Sequence, residues 1–197
     1  MKNRNFLLLL TCLLILCNCQ QQEQHDQKEA PPTREYAEPQ PVNEADYLTR
    51  ISIDSMYELG SPCGYVNLAG DTIIPIGKYL VCWDDTIKNF GIVYGESDSV
   101  GLIAIDPAGH LLYEVYRYDN GPDWVEDGLF RIIRNGKIGY ADEDGMIKIK
   151  PQFACADQFS DGRARVALHC DLIPDGEHTL QKSEEWFYID KAGEKVE

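Results

Sequence analysis

An all-β fold, built as one array of tandem repeats of short antiparallel strands and hairpins, is predicted by three observations. A four-residue turn marker recurs as Asn67-Leu68-Ala69-Gly70, Asp106-Pro107-Ala108-Gly109, Asp142-Glu143-Asp144-Gly145 and Asp190-Lys191-Ala192-Gly193, with the glycines 39, 36 and 48 residues apart. Asn135-Gly136 stands between two runs of β-formers, 129–133 and 137–140, and tolerates the positive φ angles of a two-residue hairpin turn. Arg163-Ala164-Arg165-Val166 alternates charged and apolar residues, the pattern of a strand with one wet face. A lone hairpin is marginal in water, so repetition is the physical means of covering each copy's apolar side.

In chain order, Lys2 and Arg4 precede an apolar run from Phe6 to Leu16, the layout of a signal peptide over residues 1–19 and too short to span a bilayer as a helix. Leu16-Cys17-Asn18-Cys19 resembles a bacterial lipobox, which makes Cys19 the residue to be lipidated; simple secretion is the alternative. Residues 20–46 are rich in Gln, Glu and Pro and bury too little apolar surface to offset their chain entropy, so a disordered tether is expected. Residues 47–197 remain for one β domain, a length that buries roughly 70% of its unfolded surface. Ile51-Ser52-Ile53-Asp54 is expected to be a strand closing the N-terminal edge, because the outermost copy of an array needs a cap.

The repeats follow. Asp or Asn first and Gly fourth are the preferences of a type I turn, and Pro107 at the second position supports it with its fixed φ. An aromatic precedes the marker in three copies, as Tyr65, Tyr140 and Tyr188, while Ala104 takes that place in the second. Pro151 lacks an N–H and belongs at a strand end or a sheet edge. Phe153 and Phe159 flank the turn at Ser160-Asp161-Gly162, and residues 171–185 are expected to form a polar loop inserted before the last copy. Gly70, Gly109, Gly145 and Gly193 are the structural turn positions.

The sequences GYVNLAGDTIIP and GYADEDGMIKIKPQF, the latter followed by FSDGRARV, resemble WG repeats, the Gly-aromatic repeats of bacterial proteins. The resemblance runs from about Gly64 to Val196, with departures at Leu102-Ile103 and Phe187. The segment YDNGPDWVEDGLFRIIRNGKIGYADEDG is similar to a subgroup of WG-repeat lipoproteins, which implies a Gram-negative envelope. The resemblance implies an architecture and no particular chemistry.

Without residues 1–19 the chain carries 16 basic and 33 acidic residues, a net charge of −17 that argues against nucleic acid as a partner. Cys63, Cys82, Cys155 and Cys170 lie beyond the signal, an even number that permits two disulfides in any of three pairings in an exported protein. Their spacing lacks the close Cys pair of many zinc sites, so no metal is expected.

The densest mixture of aromatics and carboxylates is Tyr116, Tyr118, Asp119, Asn120, Asp123, Trp124, Glu126 and Asp127. Asp119, Asp123 and Trp124 are the candidate binding residues. Two carboxylates across a sugar could support glycoside hydrolysis by Asp119, Asp123 or Glu126. Asp119, Asp123 and Asp127 suggest a calcium loop, although the regular ligand spacing is missing. The plain reading has Asp119 capping a turn, Trp124 packing between strands and Glu126-Asp127 opening the turn at Gly128. Trp83, Trp124 and Trp186 are expected as core rings and His110 at the surface. No nucleophile, phosphate-loop or dinucleotide pattern occurs, and no cofactor is expected. The function expected is that of a non-enzymatic cell-envelope lipoprotein binding a protein or other ligand, the partner being an envelope or extracellular protein. A glycan-acting hydrolase and a calcium-stabilised structural module are the alternatives.

Overall fold

All four turn markers fold alike. The amides of Gly70, Gly109, Gly145 and Gly193 donate to the carbonyls of Asn67, Asp106, Asp142 and Asp190 at 3.0, 2.9, 2.8 and 2.9 Å. The side-chain oxygen of that first residue accepts the amide just past the glycine, from Asp71, His110, Met146 and Glu194 at 2.8 to 2.9 Å. This is why Asn or Asp leads each marker: its oxygen closes the turn from inside. The glycines sit at φ 87°, 83°, 78° and 83°, the left-handed region in which a side chain is strained.

The computed structural model describes residues 34–41, 46–54, 56–95, 101–176 and 178–197. Among them are nineteen strands and no α-helix, all within the compact unit Thr33–Glu197. The expected signal peptide, Cys19, and residues 20–33 and 42–45 of the expected tether lie outside the described residues.

Three antiparallel sheets carry the array. The first has the order Thr72–Tyr79, Cys63–Asn67, Leu48–Ser52, Thr86–Ile87. The second has seven strands, Ile147–Phe153, Lys137–Asp142, Leu129–Arg134, Leu111–Val115, Leu102–Ile105, Gly91–Tyr94 and Val81–Cys82. The third is Cys155–Ala156, Arg163–Ala167, Phe187–Asp190, Lys195–Val196. Pro151 lies on an edge strand of the second sheet, and Arg163–Ala167 shows the alternating burial expected of it.

Side-chain alternation assigns the cores. Leu48, Tyr65, Ile74 and Ile87 of the first sheet pack with Val93, Ile103 and Ile105 of the second. Tyr140, Ile149 and Phe153 at the other end of the second sheet pack with Phe159, Ala164, Val166 and Ile189. A third cluster joins Ala104, Leu112, Tyr113, Phe130 and Ile132. The turns complete these layers, since the Gly109 turn lies against Ile74, that of Gly193 against Ile149 and that of Gly145 against Phe90. Each copy therefore covers apolar surface that another exposes.

The first and third copies agree in further detail. Tyr65 donates its hydroxyl hydrogen bond to the Asp84 carbonyl and Tyr140 donates to the Asp157 carbonyl, both at 2.7 Å. Burial pushes both phenols well above the usual tyrosine range, so they remain donors. Gly64 and Gly139, the residues just before these tyrosines, lie where the facing strand bulges inward. A Cβ on Gly64 would lie 2.7 Å from the Ile76 nitrogen and one on Gly139 2.6 Å from the Pro151 nitrogen.

Four expectations need correction. Residues 51–54 do not form an edge: the strand is Leu48–Ser52, inside the first sheet, because Thr86–Ile87 pairs with its outer side. Residues 171–185 are not a loop but contain a hairpin, Asp171–Asp175 with His178–Lys182, reversed around Gly176 at φ 62°. Residues 34–41, expected in the tether, lie on the domain. Ala37 donates to the Leu111 carbonyl at 2.7 Å, Arg134 grips the Ala37 carbonyl and Glu38, and Arg34 pairs with Glu114. The fourth concerns the tryptophans. Trp83 and Trp186 are half-buried, Trp83 packing against the third cluster, and Trp124 is exposed, because each stands just beyond a strand end; the fully buried rings among the described residues are Tyr65, Tyr113, Tyr140 and Phe159, with Tyr79, Phe130 and Phe153 nearly so.

The cysteines pair as Cys63–Cys82 and Cys155–Cys170, 19 and 15 residues apart. Such bonds belong to an oxidising, exported location. Replacing Cys63 and Cys82 by Ser is expected to cost about 2–4 kcal/mol through the freed unfolded chain. The midpoint of urea denaturation measures this, and an unchanged midpoint would contradict it.

Candidate functional site

The most buried charges among the described residues are Asp123 and Arg131, whose side chains are 0% and 7% exposed. Arg131 donates from Nε to Oδ2 at 2.9 Å, from Nη2 to Oδ1 at 2.6 Å, and from its own backbone amide to Oδ2 at 2.9 Å. Gln158 adds a bond to Oδ1 at 3.1 Å, and Arg131 Nη1 reaches the Ala156 carbonyl at 3.1 Å. The guanidinium lies 3.9 Å from the centroid of the Tyr116 ring. Burial opposes the charge on Arg131, but the Asp123 hydrogen bonds and charge outweigh it and raise the guanidinium above its usual range.

This clamp is one of a series. Asp84 accepts the Ile92 amide at 2.6 Å, Asp123 accepts Arg131, and Asp157 accepts Arg165 Nε at 2.8 Å, each partner eight residues on. Both full clamps span a two-residue turn, Asp127-Gly128 or Asp161-Gly162, with φ 53° then about 80° in each. The spacing is visible in DWVEDGLFR and DQFSDGRAR. That spacing is the local signal for the Arg131 and Arg165 partners, whereas nothing in the sequence marks Gln158.

Asp123 is thereby corrected as a binding residue. Both its oxygens accept from Arg131, and Oδ1 also accepts from Gln158. Asp119 is exposed at φ 52°, at the tip joining Arg117–Tyr118 to Gly121–Pro122, as a turn residue. Glu126 and Leu129 exchange backbone bonds across Asp127-Gly128, as expected. Trp124, 63% exposed, meets Tyr118, 44% exposed, edge to face with centroids 5.7 Å apart. Among the described residues, no group of three His, Cys, Asp or Glu side chains is placed to hold a metal ion.

Tyr118 is the shared wall of three adjoining depressions. One, of about 560 Å³, is lined by Arg131, Gln158, Asp157, Arg163, Arg165 and Tyr188. A second, of about 970 Å³, reaches Tyr116, Asn120 and the inserted hairpin at Leu172, Thr179 and Gln181. A third, of about 330 Å³, lies between Trp83 and Trp124. Arg163 lies over the Tyr188 ring at 5.0 Å and Arg165 over the Trp186 ring at 4.3 Å. The result is a branched groove with flat rings at intervals and both donors and acceptors between them.

Fold and groove define a tandem β-repeat protein with an open, mostly polar recess near its C-terminal sheet. Residues 138–168 match the family model of the WG containing repeat. That stretch is most of the third copy, from Gly139-Tyr140 through its marker, the Asp157–Arg165 clamp and the strand Arg163–Ala167. The other copies share its marker geometry. No curated protein and no solved structure matches the chain.

Proposed function

We propose that this chain is a non-enzymatic binding module of the bacterial cell envelope, exported under residues 1–19 and held to a membrane by lipid on Cys19. Its ligand is another macromolecule of the envelope or its surroundings, taken up in the groove around Tyr118. One observation carries this reading: three adjoining recesses share one exposed ring, on a scaffold whose buried charges are already spent on one another. A site spread over several shallow recesses suits an extended ligand better than a small enclosed one.

The two disulfides support export, and the net charge of −17 argues against nucleic acid as the ligand. The test is photo-crosslinking in intact cells from position Tyr118, with Met56, exposed between the strands Leu48–Ser52 and Cys63–Asn67, as the comparison position. A reproducible adduct from Tyr118 and none from Met56 supports the reading. Equal labelling at both positions, or none, overturns it.

A further inference from the structure

We infer that the groove around Tyr118 binds a saccharide chain. This rests on the reading of the groove as a binding site and adds the chemical class of its ligand. Sugars present two kinds of surface at once, a ring face of C–H groups that lies on an aromatic ring and an edge of hydroxyls that both donate and accept. A site for them needs exposed rings bordered by planar polar groups of both kinds.

The groove has that composition. Tyr118 and Tyr188, 44% and 40% exposed, stand on the rim of the depression floored by Arg131. Arg163, Arg165 and Gln158 offer donors between them, and Asp157, Asp161 and Ser160 offer acceptors. Arg131 is fixed by Asp123 and stacked on Tyr116, so the floor is rigid before any ligand arrives. Trp124 continues the row of rings beyond Tyr118.

The neighbouring depression continues this lining. Gln181 on its wall donates from its amide to the Tyr116 hydroxyl at 2.9 Å, which ties the inserted hairpin to the ring beneath Arg131.

A peptide fits less well. Extended peptides are usually held by the free backbone of a sheet edge. Here the strand residues around the Arg131 floor, Arg163, Arg165 and Tyr188, belong to the two inner strands of the third sheet, and Tyr118 pairs with Gly121 within its own hairpin.

The test uses the full-length chain purified in detergent, titrated by calorimetry with chitotetraose, cellotetraose and tetragalacturonate. Saturable binding to at least one is expected, weakened about ten-fold or more in Tyr118→Ala and in Tyr188→Ala, as loss of a stacking ring implies. Met56→Ala should leave it unchanged, and circular dichroism melting of each variant separates lost contact from lost fold. Binding to none of the three, or binding indifferent to both tyrosine variants, overturns the saccharide assignment. Crosslinking from Tyr118 that captures only a protein, with no saccharide bound, overturns it while leaving the binding-module reading in place. No saccharide and no adduct would overturn both.

Discussion

Arg131→Met is expected to lower the unfolding free energy by about 3–5 kcal/mol, because it strands the Asp123 carboxylate without its counter-charge in a dry interior. The native arrangement meets both oxygens of Asp123, and the substitution removes two of the four donors at once, keeping only the backbone amide of residue 131 and Gln158. The double variant Asp123→Leu with Arg131→Met should recover most of the loss, since a pair of apolar side chains carries no unmet charge. Urea denaturation of the single and double variants measures the coupling. A cost below about 1 kcal/mol for Arg131→Met would mean that the clamp is solvated in solution, against its burial.

Gly139→Ala carries the second large effect, about 3 kcal/mol or more and in the worst case failure to fold. The new methyl would stand 2.6 Å from the Pro151 nitrogen and 2.8 Å from its Cα, and these are backbone atoms that cannot rotate away. Gly136→Ala is the informative comparison. That glycine has φ 70° and open space around it, so its cost is backbone strain alone, about 1 kcal/mol. Thermal denaturation of both variants distinguishes steric contact from strain. Equal losses would show that the two strands do not approach as closely as the bulge requires.

The turns were legible in the sequence because their chemistry is local. Asn or Asp supplies an oxygen, Gly supplies the left-handed backbone, and both act within five residues. The alternation of Arg163–Ala167 was legible for the same reason. What failed was whatever depends on a partner distant in sequence. The edge assigned to residues 51–54 failed because Thr86–Ile87 arrives from over thirty residues away to pair there. The inserted segment looked like a loop because polar residues fill both strands of a hairpin that has little to bury.

At the candidate site the split is similar. The cluster from Tyr116 to Asp127 contains both Tyr118 of the groove and Asp123, but Asp123 turns inward to Arg131. Local composition does not reveal which carboxylate turns inward. The cysteine pairing was open for the same reason, as three connectivities satisfied the sequence and only the register of distant strands selects among them. The Gly-aromatic pair was visible as a pattern, but its cause, the inward bulge that leaves no room for a methyl, is a property of two strands together.

Among the described residues the strands of the inserted hairpin Asp171–Lys182 pair only with each other, departing from the array after Cys170 and rejoining it before the strand Phe187–Asp190. No ladder of the three larger sheets depends on how long it is. Its length can therefore change while the scaffold stays in register, and since Leu172, Thr179 and Gln181 wall the recess beside Tyr118, the depth of that recess is set by a segment the array does not need.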